Sequence, residues 1–224
     1  MKHLLNLFYP DLCHSCGLSL VRGERSICVQ CIDLIPRTSF HTDRENLVEK
    51  VFWGKVELEG ATAFAYFNKG GMMQKLLHEL KYKGARQVGS RLGELLGAEL
   101  LNAPTFKQVD IVIPVPLHPK KKRKRGFNQA EMIALGICST IERPIETNAL
   151  IRIQHTETQT QRSRFERWDN VGDVFKVKAP KKIEGKCILL VDDVLTTGAT
   201  IGSCANILLE HTGTKVCIAT LATA

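Results

Sequence analysis

Two cysteine pairs, Cys13/Cys16 and Cys28/Cys31, and an acidic, threonine-rich stretch, ILLVDDVLTTGAT at residues 188–200, carry the most chemical potential in this chain. A Cys-x-x-Cys turn aims two thiolates at one point. Two such turns make the tetrahedral sulfur cage that Zn²⁺ prefers, at about 2.3 Å per bond. Too few apolar residues lie between Leu12 and Ile35 for a core. This stretch is therefore expected to fold around metal, whose binding supplies on the order of 10–16 kcal/mol in zinc-finger peptides. Two disulfides or a redox dithiol compete with this reading. The first needs an oxidising compartment and the second a βαβ setting, and neither is signalled. Four sulfurs leave no open coordination position, so the expected zinc is structural, and His14 and His41 are expected as solvated surface residues. Cys138, Cys187, Cys204 and Cys217 sit in apolar stretches and read as small core residues.

In residues 188–200 an apolar strand ends in Asp192 and Asp193, and a Thr/Gly-rich turn then leads into a helix. Thr196, Thr197, Gly198, Ala199 and Thr200 can present consecutive N–H groups at a helix start, with hydroxyls beside them, which makes a phosphate cradle. The two acids would repel that phosphate. They are better used accepting hydrogen bonds from sugar hydroxyls one ribose away. A plain helix cap, worth about 1 kcal/mol, is the alternative, but a cap calls for neither two acids nor three threonines. The sequence has neither a P-loop nor a dinucleotide-binding glycine fingerprint.

These groups need a frame. Apolar runs predict strands at residues 61–67, 109–115, 150–153, 187–191 and 215–221, and helical spacing predicts helices from Met72 and over 88–101, 129–138 and 199–209. Buried strands alternating with helices specify an α/β fold with a mostly parallel, doubly wound sheet, whose ligands bind beyond the carboxyl ends of the strands. The polar residues 37–50 read as a linker. The expected division is a zinc-ribbon module and linker at 1–50 and the sheet domain at 51–224.

Lys+Arg number 31 against 23 Asp+Glu, a net charge of +8 with pI ≈ 9.1, so an anionic partner is natural. Lys120, Lys121, Lys122, Lys124, Arg123 and Arg125 form one uninterrupted run. Such a run self-repels and is expected to project into solvent, either as a solubilising loop or as a nucleic-acid contact. Arg162, Arg164 and Arg167, interleaved with Phe165 and Trp168, have the cations and flat rings that grip a single strand, and they also suit a loop closing over a ligand. At 44% hydrophobic the chain is not a disordered one. No run approaches the ~20 apolar residues of a spanning helix, and HLLNLFYP is too short and polar for a secretory core, so no membrane insertion and a cytoplasmic location are expected.

The stretch at residues 188–200 resembles, without a gap, the thirteen-residue phosphoribosyl pyrophosphate (PRPP) signature of type I phosphoribosyltransferases. PVPLHPKKKRKRGFNQA at residues 114–130, together with the N-terminal cysteines, narrows the resemblance to the ComF/GntX competence-protein family. The likeness spans almost the whole chain. It implies a zinc ribbon before a type I phosphoribosyltransferase-like domain, PRPP bound with Mg²⁺, and handling of transforming single-stranded DNA, with competence-machinery proteins as further partners. On that resemblance Asp192 and Asp193 hold the ribose hydroxyls, and Thr196 to Thr200 wrap the 5′-phosphate. Leu117 and His118, after Pro116, take the pyrophosphate with Arg125, and the basic run inclines towards DNA. The alternative is an active phosphoribosyltransferase moving ribose 5-phosphate from PRPP to a nitrogenous base. No acceptor pocket is identifiable in the sequence.

Overall fold

The computed structural model describes residues 10–153 and 174–224. Within them, α1 (Val29–Asp33) belongs to the cysteine module and α2 (Leu47–Lys50) follows it. The main domain runs β1 (Gly60–Tyr66), α3 (Met72–Tyr82), α4 (Arg86–Leu101), α5 (Pro104–Lys107), β2 (Ile111–Pro114), α6 (Pro119–Arg125) and α7 (Gln129–Ile141). It continues through β3 (Leu150–Arg152), β4 (Phe175–Val177), β5 (Cys187–Leu195) and α8 (Ala199–Leu209) to β6 (Lys215–Thr223).

Four strands form an all-parallel sheet in the order β1-β6-β5-β2. The period-two alternation of each strand feeds two separate cores. Leu189 and Val191 join Phe64, Val112 and Ala219 under α3, α4 and α7, whereas Ile188 and Leu190 join Ala63, Ile113 and Ile218 under α8. The expected doubly wound sheet is therefore present.

On the first face α4 and α7 pack backbone to backbone, because glycines stand at the crossing. A Cβ on Gly136 would lie 2.0 Å from the Ser90 carbonyl oxygen, and one on Gly93 would lie 2.2 Å from that of Ile133. Only a hydrogen atom fits there.

Two expectations need correction. Residues 150–153 do not enter the main sheet. The strand there, β3, pairs antiparallel with β4, and Leu150, Phe175 and Val177 fill the second core. An apolar run three or four residues long does not fix its own partner, and the return of the chain supplied one outside the parallel sheet. Nor is 37–50 a spacer. Thr38 N–H donates to the Phe64 carbonyl at 3.2 Å, and Phe40 and Val48 are buried. The polar character of this segment is partly capping chemistry. Asn46 Oδ1 accepts from the N–H groups of Val48 and Glu49, and its Nδ2 donates to the Ala61 carbonyl at 2.9 Å.

Candidate functional site

The four N-terminal sulfurs converge. All lie within 4.8 Å of one another, and Cys16 Sγ is 3.8 Å from Cys28 Sγ. A tetrahedron with ~2.3 Å bonds has edges of about 3.8 Å, so the donor set fits a metal such as zinc. Local structure explains the convergence. Gly17, at φ 81°, closes the first turn by donating its N–H to the Cys13 carbonyl at 2.9 Å, while Cys28 caps α1 and Cys31 rides on it. Burial alone would push the Cys13 thiol up, but backbone N–H groups of Cys16, Cys28 and Ser15 aimed at its sulfur bring it down to about 6. At Cys13 that favours the thiolate a metal requires, whereas burial pushes the Cys31 thiol up to about 12.

The module is not self-contained. Ile27, Cys28, Cys31 and Ile35 share the first core with Leu76 and Leu80 of α3. His14 is not solvated as expected, since its Nδ1 lies 3.2 Å from Glu79 Oε2 and its Nε2 lies 3.0 Å from Gln87 Nε2. His41 likewise meets Glu99 at 3.2 Å with its side chain only 12% exposed. The partners of both lie far along the chain, out of reach of local sequence pattern. The scattered cysteines behave as expected: Cys187, Cys204 and Cys217 are buried and Cys138 is partly so.

The second site lies where β5 outruns its neighbour. Pairing with β2 stops at Val191, yet β5 continues beside β6 to Leu195. Asp192 and Asp193 therefore lie within a strand, at the carboxyl edge of the sheet, rather than in the loop after it. A cavity of about 240 Å³ opens there. Adjacent strand residues face opposite ways, and the acids follow this rule. Asp193 accepts from Lys81 Nζ of α3 at 2.9 Å and from Gln129 Nε2 of α7 at 3.2 Å, on the first face. Asp192 accepts from the Asp193 N–H at 2.8 Å. Burial, with the neighbouring Asp193 charge second, pushes the Asp192 carboxyl up to about 7.

Cations complete the cavity. Lys121 and Arg125 of α6, Lys81, and Arg152 of β3 line it with the acids, and Pro116, Leu117 and Thr200 contribute to its wall. Arg152 Nε and Gln129 Oε1 are buried without a hydrogen-bond partner among the described residues. Such atoms are costly unless a ligand or water completes them.

Asp192, Asp193, Thr200, Leu117 and Arg125 all line this one cavity. His118 does not line the cavity: its Nδ1 accepts from the Lys120 N–H at 3.1 Å and caps α6. Thr196 and Thr197 are exposed in the turn before α8, beside half-buried Ala199. Gly198 has a purely local reason to be glycine. Its φ is 75°, and a Cβ would lie 2.7 Å from Val51 Cγ1. The first intrahelical bond of α8 runs from the Gly202 N–H to the Gly198 carbonyl at 2.7 Å, so the preceding amides lack intrahelical acceptors, and that of Ala199 donates to Thr197 Oγ1 at 3.4 Å.

The basic run is a helix rather than a loop. Pro119 at its first turn, the His118 cap, and Gly126 at φ 79° closing onto Lys122 O at 2.7 Å define its ends. Its charge still projects into solvent, and no residue of α6 is buried. Arg162, Arg164, Arg167, Phe165 and Trp168 lie outside the described residues. Lys81, Gln129 and Arg152 were missed from the sequence. Lys81 hid in an amphipathic helix and Arg152 in a short apolar strand, while Gln129 stood in the GFNQA segment without marking a role.

No family model matches the chain. It is 28% identical to the DNA utilization protein YhgH of Escherichia coli K12 over 221 residues, covering 92% of this chain and 93% of that protein. Competence protein ComFC of Bacillus subtilis is also 28% identical, over 92% of this chain and 82% of that one. The chain is a homologue of these DNA utilization and competence proteins. Among solved structures it resembles the glutamine PRPP amidotransferase from B. subtilis complexed with ADP and GMP, loosely, with a TM-score of 0.42 and 22% identity. That match covers 60% of this chain and only 26% of the amidotransferase. Among the described residues no helix is long and apolar enough to cross a membrane.

Proposed function

We propose that this homologue of the competence proteins binds PRPP with Mg²⁺ at the carboxyl edge of the sheet and handles single-stranded DNA during uptake. One observation carries the ligand reading: a single cavity presents two strand-end carboxylates and four cationic side chains together. Acids alone would suit a cation, and cations alone any anion. A molecule with vicinal hydroxyls at its centre and phosphates at both ends answers both sets. Asp192 and Asp193 then accept from the ribose hydroxyls, and the turn of Thr196, Thr197, Gly198, Ala199 and Thr200 surrounds the 5′-phosphate. Lys81, Lys121, Arg125 and Arg152 offset the pyrophosphate charge, beside Leu117, while His118 only caps α6. Mg²⁺ held by the pyrophosphate would supply further charge neutralisation beside these cations. Zinc on Cys13, Cys16, Cys28 and Cys31 is structural, since four thiolates leave no position for a reactant.

The DNA half of the proposal is supported by the names of the relatives and by the exposed cations of Lys120, Lys121, Lys122, Arg123 and Lys124, with half-buried Arg125, on α6. Calorimetry of Mg·PRPP tests the ligand half. Asp192→Asn with Asp193→Asn should weaken binding at least about a hundredfold, the scale expected from losing several buried charge-assisted hydrogen bonds, with the fold retained. Unchanged affinity would remove the assignment.

A further inference from the structure

Beside the acid-bearing cavity is a second one of about 310 Å³, lined by Lys81, Tyr82, Gly84, Lys121, Lys124 and Arg125. The two cavities adjoin, sharing Lys81, Tyr82, Lys121 and Arg125. Among the described residues no acidic side chain lines the second. Lys121, Lys124 and Arg125 occupy positions i, i+3 and i+4 of α6 and so lie on one face of that helix.

The ring among these cations is the informative feature. Tyr82 ends α3 and is 70% exposed, a large flat side chain standing in water at the edge of a charged wall. Its neighbours steady it without covering it. The Arg125 guanidinium lies 5.6 Å from the ring centroid, and the His78 ring packs at 4.9 Å with a 43° tilt. Cations alone would accept any polyanion. Cations around an exposed ring select an anion that also carries a flat π face.

We propose that this groove is a subsite for a single-stranded polynucleotide, in which a base stacks on Tyr82 while the adjoining phosphates lie along Lys121, Lys124 and Arg125. The proposal rests on the DNA-handling reading above and says where the strand is held. A duplex would not satisfy it, because paired bases are already stacked on one another and present no free face to the ring.

Fluorescence anisotropy with two strands of equal length, a thymidine oligonucleotide and an abasic one, tests the subsite on the full chain. Tyr82→Ala should weaken the thymidine strand about tenfold and leave the abasic strand and the salt slope unchanged, while Tyr82→Phe retains most of the affinity. The side chain is exposed, so neither variant threatens the fold. Equal effects on both strands, or no effect on either, would overturn the subsite alone. Failure of the unmodified protein to bind either strand at low salt would overturn the DNA-handling reading, and the subsite with it.

Discussion

The cysteine module and the strand-end cavity are both clusters of polar ligand atoms, yet they are built in opposite ways. The module draws its four sulfurs from Cys13, Cys16, Cys28 and Cys31, close in sequence and of one chemical type. The cavity draws Lys81, Lys121, Arg125, Gln129, Arg152, Asp192 and Asp193 from five elements, α3, α6, α7, β3 and β5, and holds both charges at once. The first arrangement is set by local turns and presents a donor set that fits a metal such as zinc. The second exists only because the sheet and both its helical layers are in place. Loss of metal should therefore damage folding first, and loss of a cavity residue should damage binding first.

The largest expected effect falls on the module. Cys28→Ser removes one of four ligands, and metal content should fall below half of the unmodified level. The thermal midpoint should drop by more than about 10 °C, because the module shares its core with α3. A metal-free protein that melts at the unmodified temperature would break the contrast. Next comes the frame of the cavity. Gly136→Ala must push α4 away from α7, and denaturant unfolding should show a loss of about 3 kcal/mol or more.

Lys81→Met separates binding from folding. It takes the cation from Asp193, so Mg·PRPP affinity should fall about tenfold by calorimetry while the melting temperature stays within a few degrees. Asp192 gives a subtler signature. Its carboxyl is pushed up from 3.8 to about 7, so the folded state prefers it protonated. The corresponding stability is fully present below about pH 4 and is lost as pH rises through about 7. Asp192→Asn should accordingly stabilise the free protein at pH 8 by about 1–2 kcal/mol, and not at pH 4, even as it weakens PRPP. The smallest effect belongs to the α6 surface. Lys122→Gln breaks only a long, exposed pairing with Glu131 at 3.9 Å and should change stability by less than about 0.5 kcal/mol.

How much was legible in the sequence follows from the same contrast. The clustering of the four cysteines could be read because paired spacing marks it, and the place of the two acids could be read because an apolar strand delivers them to a sheet edge. Lys81 and Arg152 could not, because nothing in an amphipathic helix or a three-residue strand says what a side chain near its end will meet. The layered order of α and β elements was readable from apolar runs. The antiparallel pairing of β3 was not, since that depends on where the chain returns. The basic run misled in form only. Like charges do repel, but capping by His118 and Gly126 outweighs that over a helix of this length.

The decisive measurement is a crystal structure of the protein soaked with Mg·PRPP. Ribose hydroxyls are expected on Asp192 and Asp193, the 5′-phosphate in the turn before α8, and pyrophosphate among Lys81, Lys121, Arg125 and Arg152. Density for the ligand elsewhere, or an undisturbed Lys81–Asp193 pair with the cavity filled by side chains at saturating PRPP, would contradict this placement.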